Sequence, residues 1–98
     1  MPKHLVCFHP KAIEEAENSQ SWYALRSPIA ARGFVNELSH AIDMVSESPN
    51  RWPGFHADTQ RYVFPRYPFS LIYRVKDEVV EVLAIAHYKK RPGYWSER

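Results

Sequence analysis

The segment "VVEVLAIAHY", residues 79–88, constrains the fold most. Apart from Glu81 and the closing His87 and Tyr88 it is built only from Val, Leu, Ile and Ala. A half-buried strand alternates apolar and polar residues, so a run that is apolar on both faces predicts a strand in the centre of a sheet. The strand before it has the other pattern. In "FSLIYRV", Phe69, Leu71, Tyr73 and Val75 fall on one face, and Ser70, Ile72 and Arg74 on the other. "KDE" between the two reads as a tight turn. Upstream, "QRYVF" also alternates, and "RYP" ends it.

The first half has a different period. "HLVCF", from His4 to Phe8, is a short apolar run that predicts a buried strand, with Cys7 in the core rather than acting as a nucleophile. Pro10 suits a first helical turn, and Glu14 and Glu15 follow near the end where the helix dipole favours acids. Ile13, Ala16, Gln20 and Tyr23 then share a face. Ser27 and Pro28 restart a helix as N-cap and first residue, and Ala31, Phe34, Val35, Leu38, Ala41, Ile42 and Val45 recur at spacings of three and four. This second helix should stop before Pro49, and its short connection to the first makes the pair an αα-hairpin. "SPNRWPGFHADT" reads as a loop. The order β-α-α-β-β-β predicts an α+β fold, with a helix hairpin packed on one face of a mostly antiparallel, four-stranded, twisted sheet. The opposite face is expected to be open and to present Arg74.

A chain of 98 residues is expected to form one domain spanning residues 1–98. One cysteine allows no internal disulfide and no Cys-rich zinc site, and no run is long and apolar enough to span a bilayer, so a cytoplasmic location is expected. His4, His9, His40 and His56 show no metal-ligand spacing, and Asp58, Asp77, Glu78, Glu81 and Glu97 suggest no carboxylate cluster. With only three glycines there is no phosphate-cradling loop, so neither metal nor nucleotide cofactor is expected.

Charge is uneven along the chain. Residues 1–50 carry four Lys/Arg and six Asp/Glu, whereas residues 51–98 carry nine and five. The basic half suits an acidic partner. Arg61, Arg66, Arg74, His87, Tyr88, Lys89, Lys90, Arg91 and Tyr94 are expected to converge at one end of the open face, where cations would bind phosphate and rings would stack on bases. His87 and Tyr88 are adjacent at a strand end and point to opposite faces, and His87 is a candidate general acid or base. Trp22, Trp52 and Trp95 read as core or strap residues. Pro92 and Gly93 allow a sharp turn, so Tyr94 and Trp95 are expected to fold back and hold the basic triplet in place.

Taken together, "FHPKAIEEAENSQSWYALRSP", "RYVFPRYPFSLIYRV" and "VEVLAIAHYKKRPGYW" resemble the RelE/ParE superfamily of bacterial type II toxins. The likeness covers almost the whole chain, and the closing "AHxxRxPGYW" form, met here as "AHYKKRPGYW", is its most specific part. It implies a β-α-α-β-β-β toxin fold, a cognate antitoxin forming a hetero-oligomer with it, growth inhibition, and a role such as plasmid stabilization. RelE-like members are ribosome-dependent mRNA endonucleases with an arginine just before the "LVY"-type segment, where this chain has Ser70. ParE-like members act on DNA gyrase, and "YPFSLIYRV" is more similar to theirs. The resemblance thus implies a gyrase poison. The alternatives are an RNase using His87 or Tyr88 with Arg66 or Arg74, and an inactive homologue that only binds.

Overall fold

The computed structural model describes residues 3–98. Strand β1 (Leu5–Phe8) leads into helix α1 (Pro10–Ala24) and helix α2 (Pro28–Glu47), followed by β2 (Gln60–Val63), β3 (Phe69–Lys76) and β4 (Val79–His87). The sheet order is β1-β4-β3-β2, with β1 parallel to β4 and the other pairings antiparallel. The α+β arrangement and element order match the sequence expectation. Strand β4 lies between two neighbours, as its two apolar faces require.

Period and register explain the layers. On β3, Phe69, Leu71 and Tyr73 join the helix-side core with Ala12, Phe34, Ala41 and Val45, while Ile72 joins a second core on the opposite face. On β4 the parity changes midway. Tyr73 pairs with Val82 and Ile72 with Ala84, so Leu83 is an extra residue, a β-bulge. Val80, Val82 and Ile85 therefore face the helices, whereas Leu83, Ala84 and Ala86 face the other way.

Each helix is capped from its own sequence. Ser27 Oγ accepts the Ala30 N–H at 3.2 Å, with Pro28 at the first position as expected. For α1 the cap is His9, whose Nδ1 accepts the Lys11 N–H at 3.0 Å. Glu14 and Glu15 lie beyond the first turn, so the dipole reading does not describe them. On α1 it is Ala12 that is fully buried, while Ile13 is 47% exposed and borders a groove between the helices.

Strand β1 departs from expectation. It is an edge strand covered on one face only, so Val6 and Phe8 pack against the core while Leu5 and Cys7 are exposed. Cys7 is therefore not a core residue. The connection expected as a plain loop contains a small hairpin: Gly54 bridges Gln60, and the Thr59 N–H closes a turn onto His56 O.

Two tight turns place non-glycine residues in the left-handed region, Ala57 and Asp58 (φ 53° and 60°) and Asp77 and Glu78 (φ 52° and 65°). In a type I′ two-residue hairpin both central residues need positive φ, which is why Asn-Gly and Asp-Gly pairs prevail there. Glu78→Gly should stabilise the fold by about 0.5–1 kcal/mol, the relief of a left-handed Glu less the added entropy of an unfolded glycine. A higher urea midpoint at unchanged slope checks this.

Candidate functional site: the C-terminal strap and the face beneath it

After β4 the chain turns at residues 88–91, then runs through successive turns closed by Tyr94 N–H to Arg91 O, Ser96 N–H to Gly93 O and Arg98 N–H to Trp95 O. Gly93 has φ +88°, and a Cβ there would lie 3.1 Å from His56 Nδ1. Trp95, 2% exposed, lies over Ile72, Leu83, Ala84 and Ala86 and stacks on Phe55 at 5.6 Å. Losing such a side chain would cost about 3–5 kcal/mol. Repulsion among exposed neighbouring cations is about 1 kcal/mol per pair at contact in water, so packing holds the basic triplet in place. The expected fold-back is present, and its consequence is that the face opposite the helices is not open at this end.

A carboxylate fastens the strap. Strand β1 ends at Phe8 against Val82, which leaves the Leu83 carbonyl and the Ile85 N–H on the uncovered edge of β4. Glu15 of α1 accepts the Ile85 N–H at 3.0 Å and the Tyr94 hydroxyl at 2.7 Å. Arg98 donates to both Glu15 oxygens, at 2.9 and 3.1 Å, and to Leu83 O at 2.8 Å. Burial, followed by the Glu15 hydrogen bond and charge, pushes the Tyr94 phenol far above its ordinary value. Tyr94 is therefore a strap anchor. Nothing in residue spacing ties Glu15 to Tyr94 and Arg98, which are 79 and 83 positions away.

The remaining basic and aromatic candidates do not all converge. Arg74 pairs across the sheet with Glu81 at 2.6 Å. Five residues of β3 separate it from Phe69, the partner of His87, a span of roughly 17 Å. Arg66 lies on the β2–β3 loop beside α2, where its N–H and that of Tyr67 donate to Glu37 Oε1 at 3.1 and 3.3 Å. His87 turns to the helix side, lining a cavity of about 490 Å³ with Trp22, Tyr23, Pro68 and Phe69. Trp22 is 52% exposed there, so it is not a core residue. Arg61, Tyr88 and Lys90 do come together with Ser70 around a small pocket beside Trp95, which His87 also borders. Lys89 and Arg91 are exposed on the adjoining turn.

The His87 ring has its Nδ1 accepting the Lys89 N–H at 3.1 Å, so in the neutral ring the proton sits on Nε2, and it meets Phe69 edge-on at 5.1 Å. Burial, then the Lys89 charge, lowers its pKa below 6.5. Among the described residues no group of three or more His, Cys, Asp or Glu could hold a metal ion. No helix among them is long and apolar enough to cross a membrane.

These features define a class: a small α+β chain whose helix hairpin packs on one sheet face and whose C-terminal strap locks over part of the other. The family model for the ParE toxin of the type II toxin-antitoxin system, parDE, matches residues 6–92, and the chain belongs to that family. Among curated proteins, none matches the sequence significantly. Its fold is similar to a chain of the chromosomal ParDE TA system from P. aeruginosa, at TM-score 0.74 and 20% identity over 89% of this chain and 98% of that one. It is also similar to a chain of the toxin-antitoxin complex RelBE2 from Mycobacterium tuberculosis, at TM-score 0.60 and 22% identity over 89% and 93%. At these identities both likenesses speak to the fold alone.

Glu15→Ala leaves the Ile85 N–H, the Tyr94 hydroxyl and Arg98 without their acceptor, and should cost about 2–3 kcal/mol in urea unfolding. Trypsin should then cut after Lys89 and Lys90 at concentrations that spare the parent chain. For His87 the unfolded ring takes up its proton first, near 6.5, and the folded ring only at lower pH. Its contribution to stability is thus complete above pH 6.5 and falls away as acid is added. An NMR titration midpoint below 6.5, and a flatter acid limb for His87→Gln, check that sign.

Proposed function

We propose that this chain is the toxin of a ParE-like toxin-antitoxin pair, that it arrests growth in the cytoplasm by poisoning DNA gyrase, and that a cognate antitoxin neutralises it as a hetero-oligomer. The observation that carries this reading is the ParE family match across residues 6–92. The geometry adds support. An RNA-cleaving site needs a base, an acid and cations around one phosphate. Here His87 lines an apolar cavity against α1, Arg74 is paired with Glu81 at the far end of the sheet, and Arg66 sits beside α2. A protein-binding role asks for less assembly and more exposed apolar surface. Trp22, Leu25 and Ile29 supply such surface near the helix turn, at 52%, 86% and 80% exposure. A groove bordered by Phe8, Ile13, Ala16, Val35 and Leu38 suits the apolar face of an antitoxin helix.

One observation favours a RelE-like mRNA endonuclease as the second reading. Arg61, Lys90, Tyr88 and His87 all border one pocket with Ser70, a cationic and aromatic group on one patch. Purified toxin should inhibit supercoiling by DNA gyrase in a dose-dependent way and leave mRNA on translating ribosomes uncut. Cuts at the ribosomal A site with supercoiling unaffected would reverse the order of the two readings. Normal growth of cells that accumulate the folded chain would reduce it to a binding module.

A further inference from the structure

The small pocket beside Trp95 combines three features that the gyrase reading does not use. It is bordered by Arg61, Ser70, His87, Tyr88 and Lys90, it is backed by apolar side chains, and it has a volume of about 60 Å³. Among the described residues, neither Arg61 nor Lys90 has a carboxylate within salt-bridge distance. Trp95, which also borders the pocket, keeps a buried indole N–H with no acceptor. Donors and cations are thus present without a matching anion, against walls that exclude water and strengthen charge–charge attraction.

The pocket is also held in shape before anything binds. The Arg61 N–H donates to Pro53 O at 3.0 Å, and its guanidinium lies 4.1 Å from the Phe55 ring centre. Phe55 stacks in turn on Trp95, which the strap keeps in place. A guanidinium fixed in this way loses little freedom on binding and presents a planar fork that matches a carboxylate.

We propose that this pocket receives one carboxylate side chain from an acidic segment of a protein partner, gripped by Arg61 with help from Ser70 and Lys90. The volume admits one oxyanion head group. Strand-like nucleic acid instead needs a track of cations, and Arg66 and Arg74 lie elsewhere, the latter already paired. The inference rests on the reading of this chain as a protein-directed toxin, and it names the chemistry by which a partner is recognised.

The test uses the full chain labelled with nitrogen-15 at fixed salt, titrated with a capped peptide bearing one central Glu, with its Gln counterpart, and with a short single-stranded RNA. The Glu peptide should move the Arg61 Nε–H and Trp95 indole signals saturably, and its Gln counterpart should bind about ten-fold more weakly. Arg61→Gln and Lys90→Gln should each weaken the Glu peptide about five-fold or more, while Lys76→Gln, at the far hairpin, changes nothing. The exposed Lys90 variant keeps the test decisive if Arg61→Gln fails to fold. Shifts that persist in both variants, or tighter binding of RNA than of the Glu peptide at these same signals, would overturn the proposal. A chain that inhibits supercoiling but leaves the signals unmoved defeats the pocket alone. A chain that binds the peptide without touching supercoiling defeats the gyrase reading alone.

Discussion

Strand β4 is apolar on both faces, and the rest of the molecule is arranged around covering both. A regular strand would hold one set of side chains on one side throughout. The bulge at Leu83 changes parity midway, so Val80, Val82 and Ile85 reach the helix-side core while Leu83, Ala84 and Ala86 supply the second. The helix hairpin covers the first face. Burying the second requires the chain beyond β4 to come back across it, with Trp95 as the main weight and Phe55 beside it. Hydrophobic burial of this kind has no direction, so the polar groups around it decide where the strap stops.

Glu15 makes that decision. A β4 edge left bare past the end of β1 would expose an N–H and a carbonyl next to a packed core, at a cost of 1–3 kcal/mol for each unsatisfied group, as an order of magnitude. One carboxylate from α1 and one guanidinium from the last residue satisfy both, and the same carboxylate receives the Tyr94 hydroxyl. Helix, sheet edge and strap are thereby tied at one point. This is also why the basic turn at Lys89–Arg91 is presented in a fixed place, with Arg61 and Lys90 beside the strap and His87 bordering both their pocket and the helix-side cavity.

The division between the two faces bears on function. The ParE family places the chain among toxins. Within this molecule the helix-side surfaces are apolar and broad, whereas the strap side offers a small cationic pocket with rigid walls. Such an arrangement fits recognition of protein surfaces by two chemically distinct patches. It lacks the convergence of His87 with Arg66 and Arg74 that phosphate chemistry would use.

Much of the architecture was legible in the residues themselves. Period two in "FSLIYRV", spacings of three and four in α2, the Ser27–Pro28 start and the doubly apolar β4 each reflect local geometry that any chain must obey, and they led to the correct element order. The Pro92–Gly93 turn and the folding back of Trp95 were readable for the same reason. What spacing could not show was which partners meet across the chain. The exposure of Cys7 is not legible in the sequence, because an edge strand and a central one share the same apolar letters and only sheet order distinguishes them. Glu15 looked like a dipole-favoured acid, yet its partners lie 70 to 83 residues away. The dispersal of Arg66, Arg74 and His87 depended on strand register and loop path. Sequence alone determined the elements and the need to cover both sheet faces, because those follow from side-chain period and water's exclusion of apolar surface. Tertiary structure alone decided which charges are paired, which are free and which share a pocket, because electrostatic contacts depend on distance in space.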